Sequence, residues 1–88
     1  MVQATLRITN RAGLHTRPAA MLVKEASRFV SDIYLERDGF SINAKSIIGV
    51  MTLAAEQGST LGLTVEGPDE TDAAARIEEL FHTGFGER

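Results

Sequence analysis

Gly13-Leu14-His15-Thr16-Arg17-Pro18-Ala19 separates the first element of the chain from the second, and the hydrophobic period changes across it. Before it, Val2, Ala4, Leu6 and Ile8 alternate with Gln3, Thr5, Arg7 and Thr9. Such alternation marks a strand buried on one face. After it, Ala19, Leu22, Val23, Ala26 and Val30 fall at helical spacing. Proline has no amide hydrogen and is tolerated only in the first helical turn, so Pro18 sets the helix start near His15 or Thr16. Gly13 supplies the backbone freedom for a sharp turn into the helix. His15 therefore sits at a helix mouth, where unpaired N–H groups and the positive end of the dipole attract anions. Arg17 adds a planar guanidinium suited to phosphate oxygens. A histidine near neutral pH keeps a nucleophilic ring nitrogen. The combination points to a side chain that carries a phosphoryl group; a surface or capping histidine is the plainer alternative.

Outward from this stretch the elements follow in turn. Ile33 and Leu35 alternate with Asp32, Tyr34 and Glu36 as a second strand. Asp38-Gly39 is a hairpin signal, because a type I′ turn needs positive φ, and Phe40 and Ile42 continue as a third strand. A short helix is expected over Ile47 to Ala55, ended by Gly58. Leu61, Leu63 and Val65 form a fourth alternating strand, broken by Gly67-Pro68. Asp69 is the expected N-cap of a last helix carrying Ala73, Ala74, Ile77, Leu80 and Phe81, stopped by Gly84. The order is β-α-β-β-α-β-α. The fold class is α+β: a two-layer open-faced sandwich, with a four-stranded antiparallel sheet and three helices on one face. The other face, with Thr, Glu and Gln at alternate strand positions, is expected to meet water.

The 88 residues make one domain, spanning 1–88. Cysteine is absent, which fits a reducing cytoplasm and leaves no thiolate metal site. No apolar run reaches the length that spans a bilayer, and a cytoplasmic protein without membrane insertion is expected. A net charge of −3 argues against general nucleic-acid binding. The charge is uneven: residues 1–31 hold Arg7, Arg11, Arg17, Lys24 and Arg28 against the single acid Glu25. Such a basic third either steers an acidic protein partner or is ordinary surface charge.

The run Gly13–Ala19 resembles the active-site signature of the histidine-containing phosphocarrier family, HPr, of the bacterial phosphoenolpyruvate-dependent phosphotransferase system. Asn43-Ala44-Lys45-Ser46-Ile47-Ile48-Gly49-Val50-Met51 resembles that family's regulatory serine segment, at the usual separation. The resemblance covers essentially the whole chain. It implies that enzyme I, charged by phosphoenolpyruvate, phosphorylates His15 at Nδ1, and that the group then passes to an enzyme IIA domain. It implies that Arg17 contacts the phosphoryl group, and that the chain is a stoichiometric carrier, not an enzyme, with no metal or organic cofactor. The sequence carries no sign of obligate oligomerisation, and a monomer is expected. The resemblance also implies regulation by an HPr kinase/phosphorylase at Ser46. From position alone, Ser46 reads as a helix N-cap, a role compatible with a phosphate at the dipole's positive end.

Two faces are candidates for docking. Val50, Leu53 and Ala54 are expected to face the core, leaving Ile47, Ile48 and Met51 as a neighbouring stripe that is either buried or an exposed patch. The first helix offers Arg17, Met21, Lys24 and Arg28 at helical spacing, with Thr16 at its start. Methionine suits a surface that must fit several partners. His82 reads as a structural residue near a helix C-terminus. The run Leu80-Phe81-His82-Thr83-Gly84-Phe85-Gly86-Glu87 resembles the tail of the family's nitrogen-related branch, whereas the Ser46 segment resembles the sugar-transport branch. Two other readings stand beside the carrier. One is a regulatory interaction module controlled through Ser46. The other is a small hydrolase, which lacks a general base because the residues near His15 in sequence are basic or apolar.

Overall fold

Four alternating strands close into one antiparallel sheet because each has a single apolar face to bury. The computed structural model describes residues 1–87. The strands are β1 (Val2–Arg7), β2 (Asp32–Arg37), β3 (Phe40–Asn43) and β4 (Thr60–Glu66), in the order β1-β4-β2-β3. The register stacks Ala4, Leu63, Leu35 and Ile42 in one row across the sheet. That row faces the core, and the adjacent row of Thr5, Gly62, Glu36 and Ser41 lies on the opposite, solvent-facing side. At the β2–β3 hairpin both Asp38 (φ 52°) and Gly39 (φ 82°) take positive φ, as the Asp-Gly pair requires.

Helices α1 (Thr16–Ala26), α2 (Ile47–Thr52) and α3 (Glu70–His82) cover the apolar face. Leu22 and Ala26 of α1, Val50 of α2 and Ile77 and Phe81 of α3 are buried with Ile33, Leu35, Leu61 and Leu63 of the sheet. Glu25 of α1 pairs with Arg76 of α3 at 3.2 Å, which holds the Glu25 carboxyl below its usual range and ties the two long helices together.

Three local expectations are corrected. The first helix ends at Ala26, and Val30 is 76% exposed instead of continuing the apolar stripe. The second helix ends at Thr52, not Ala55. There Arg37 Nη1 donates to the carbonyls of Leu53 (2.9 Å) and Ala54 (2.8 Å), and Ala54 turns to φ 50°. That turn puts Ala54 in solvent and buries Ala55 in its place. Asp69 occupies the N-cap position of α3, but its side chain caps nothing there. It reaches back instead, accepting from the Val30 and Ser31 amides (2.9 Å each) and from Ser31 Oγ (2.5 Å). These donors, led by the Ser31 hydroxyl, hold the Asp69 carboxyl down at about 2.

Candidate functional site

The approach to α1 is built by backbone contacts. Gly13 takes φ 72°, and the next amide, Leu14 N–H, donates to Ala55 O at 2.9 Å. Leu14 is buried, so the loop is anchored while the following residue turns outward. His15 is that residue and the N-cap of α1. Its carbonyl accepts from Ala19 N–H at 2.9 Å, and its ring makes no capping hydrogen bond. Thr16 and Arg17 precede the first intrahelical N–H bond, so their amides remain as donors at the helix mouth. Arg17 is exposed and makes no ion pair among the described residues. The reason for the exposure is α1's amphipathic order: Pro18, Ala19 and Leu22 face inward, so Arg17, Ala20 and Lys24 face out.

The His15 side chain is 43% exposed, open to a partner but not loose. Its Nε2 lies 3.3 Å from Glu87 Oε1. The same carboxylate oxygen accepts from Asn10 Nδ2 at 3.1 Å, and Asn10 Nδ2 also donates to Gly13 O at 2.8 Å. Asn10 is buried, and turning its amide over would set Oδ1 against two acceptors. Its NH2 group therefore binds the approach loop and Glu87 together. The Nδ1 edge of His15 carries no hydrogen bond to a described residue.

Glu87 and Asn10 were not legible as site residues. One lies 72 positions from His15, and the other reads as ordinary loop. The signal lay in the tail run that ends in Glu87, where Gly84-Phe85-Gly86 sets an aromatic between two glycines just after the last helix. All three residues take positive φ, folding the chain back so that Phe85 enters the core edge-on to Phe81, with centroids 5.0 Å apart. The neighbours of His15 in sequence are basic or apolar, but tertiary structure brings a carboxylate within reach of the ring.

Ser46 is exposed and caps α2, its Oγ accepting Gly49 N–H at 3.1 Å. Beyond it, Ile47 and Met51 are partly exposed and Ile48 is 74% exposed, while Val50 is buried. Helix α1 packs beside α2. Thr16 and Lys24 are exposed and Met21 half-buried, so an apolar strip on one helix adjoins a basic face on the other. Arg28 pairs with Glu25 at 3.1 Å, which leaves Arg17 and Lys24 as the unpaired cations of that face among the described residues. His82 is exposed in the last turn of α3, and no cluster of three metal-binding side chains occurs among the described residues. Among the described residues, no helix is long and apolar enough to cross a membrane.

Residues 2–83 match the family described as the PTS HPr component phosphorylation site. The chain is 58% identical over 87 residues to the phosphocarrier protein HPr of Treponema pallidum, covering 99% of each. It is 46% identical over 77 residues to the HPr-like protein Crh of Bacillus subtilis, covering 88% of this chain and 91% of that one. The crystal structure of HPr-C-His from Thermoanaerobacter tengcongensis superimposes with a TM-score of 0.97 at 44% identity, covering 100% of this chain and 99% of that one. Sequence, fold and the phosphorylation-site match agree: the chain belongs to the HPr family, the non-catalytic phosphocarriers of the bacterial phosphotransferase system.

Proposed function

We propose that His15 accepts a phosphoryl group on Nδ1 from phosphorylated enzyme I and passes it to an enzyme IIA domain, in sugar uptake or its regulation. The observation that carries this reading is the His15 ring itself, exposed at the N-terminus of α1 with its Nδ1 edge free of described partners. The amides of Thr16 and Arg17 and the Arg17 guanidinium are the donors available to the phosphoryl oxygens. Phosphoryl transfer asks little covalent chemistry of the protein and depends on positioning and charge stabilisation, which a rigid helix mouth supplies. The exposed Ile47, Ile48 and Met51, beside Thr16, Met21 and Lys24, form the surface on which both partners dock in turn. The test is intact mass after incubation with phosphoenolpyruvate and enzyme I. One acid-labile phosphoryl group is expected on the wild type and none on His15→Ala. A label that survives in the variant would overturn the assignment. Arg17→Ala should slow transfer while leaving the thermal unfolding curve in place.

A second reading concerns Ser46 and is favoured by its exposure at the α2 N-terminus and by the similarity to Crh. Phosphorylation there by an HPr kinase/phosphorylase adds about −1.5 to −2 charges beside the docking surface and weakens an acidic partner's hold. Labelling by the purified kinase with ATP, abolished in Ser46→Ala, is the expected result; equal labelling of both proteins would exclude this serine.

A further inference from the structure

We propose that Glu87 is a positioning residue for His15, fixing the ring proton on Nε2 so that the lone pair of Nδ1 is the nucleophile. The inference rests on His15 being the phosphoryl acceptor. It concerns a residue that lies beyond the segment 2–83 matching the family.

A neutral imidazole carries one N–H and one lone pair, and whichever nitrogen faces an acceptor keeps the proton. A carboxylate offers only acceptors. With Glu87 Oε1 at 3.3 Å from Nε2, the ring must present Nε2–H to it, which leaves the opposite nitrogen unprotonated. The carboxylate is held where it can do this. Asn10, buried and oriented by Gly13 O, donates to the same Oε1. Phe85 pins the tail two residues before Glu87 by occupying the core against Phe81. The Glu87 side chain is itself only 18% exposed. Ring, carboxylate and amide thus form a chain of contacts that begins in the fold and ends at Nε2.

The same arrangement assists the transfer step. The Nδ1 lone pair forms the new N–P bond, and the electron pair of the broken bond stays with the donor. The proton remains on Nε2. The phosphorylated ring then bears a formal positive charge, and the Glu87 carboxylate lies against the edge where the N–H of that cation sits. No additional reactant is needed, and return transfer reverses each change.

The test combines ring ¹⁵N NMR of the uncharged protein, at a pH where the imidazole is neutral, with the rate of charging by phosphorylated enzyme I. In the wild type the Nε2–H tautomer should dominate. In Glu87→Ala the two forms should shift toward the ratio of a free histidine side chain. Charging should slow roughly three- to tenfold, the range for one partly exposed charge-assisted hydrogen bond. Glu87→Gln keeps an acceptor oxygen without the charge; it should restore the tautomer and part of the rate, which a loss of packing would not do. A wild-type ring protonated on Nδ1, or tautomer ratios identical in wild type and Glu87→Ala, would overturn the role while leaving the carrier function intact. A wild type that cannot be charged by an enzyme I active on another carrier would remove the carrier reading, and the role of Glu87 with it.

Discussion

A β-carbon on Gly13 would come within 2.5 Å of the Ala55 carbonyl oxygen, the same oxygen that accepts the Leu14 amide at 2.9 Å. Gly13 is thus the close approach that binds the His15 loop to the exit of α2. Its φ of 72° adds a second demand that L residues meet poorly. Gly13→Ala is expected to lower stability by about 1–3 kcal/mol, through steric overlap and left-handed backbone together. Chemical denaturation measures the loss; an unchanged midpoint would show that the loop relaxes freely.

Phe85 fixes the tail. It is fully buried, edge-on to Phe81, at a positive φ that only strong packing sustains. Phe85→Ala should cost about 3–5 kcal/mol, the range for emptying an aromatic site. Because the tail carries Glu87, the variant's ring spectrum should also drift toward that of Glu87→Ala. A stability loss with an unchanged ring would show that Asn10 alone suffices to hold the carboxylate.

Asp69 gives the fold an acid-sensitive joint. Its folded-state value of about 2 lies below the ordinary 3.8, so its contribution is complete above the unfolded value and fades as pH falls from about 4 toward 2. Asp69→Asn should therefore lower the Tm at pH 7, and the gap to wild type should narrow near pH 2. Glu25, also held low by Arg76, acts in the same direction. A pH-independent gap would mean that shape, not charge, links residue 69 to the 30–31 turn.

Ser46 should show its capping role without any kinase. Ser46→Ala removes the acceptor for Gly49 N–H and is expected to cost about 1 kcal/mol. Thermal unfolding of the two proteins is the measurement, and equal curves would mean that α2 is held by Val50 packing alone.

Ile48 separates docking from stability. At 74% exposure it contributes little to the core, so Ile48→Ser should change stability by less than about 0.5 kcal/mol. If the strip receives partners, charging by enzyme I should fall about tenfold, the scale of a central apolar contact. Unchanged charging would move the docking surface elsewhere.

The sheet was legible because alternation has a period of two and each strand has one face to bury. Val2 to Ile8, Ile33 and Leu35, Ile42, and Leu61 to Val65 all lie where that rule puts them. The start of α1 was legible because Pro18 admits few positions. The ends of α1 and α2 were less so, since distant side chains bind the chain just beyond each. Arg37 takes the Leu53 and Ala54 carbonyls, and Asp69 takes the Val30 and Ser31 amides. Asp69 looked like a cap because it stands at one; the stronger donors lie across the fold.

By itself, then, the sequence determined the β-α-β-β-α-β-α order, the burial of one sheet face and the placement of His15 at a helix mouth, all consequences of local periodicity and backbone chemistry. Tertiary structure alone decided what surrounds the ring. Glu87 reaches His15 because Gly84, Phe85 and Gly86 reverse the chain and Phe85 is buried, and Asn10 receives it because its amide is oriented by Gly13. A contact across 72 positions leaves no period in a sequence; it exists only once the core has brought the two ends together.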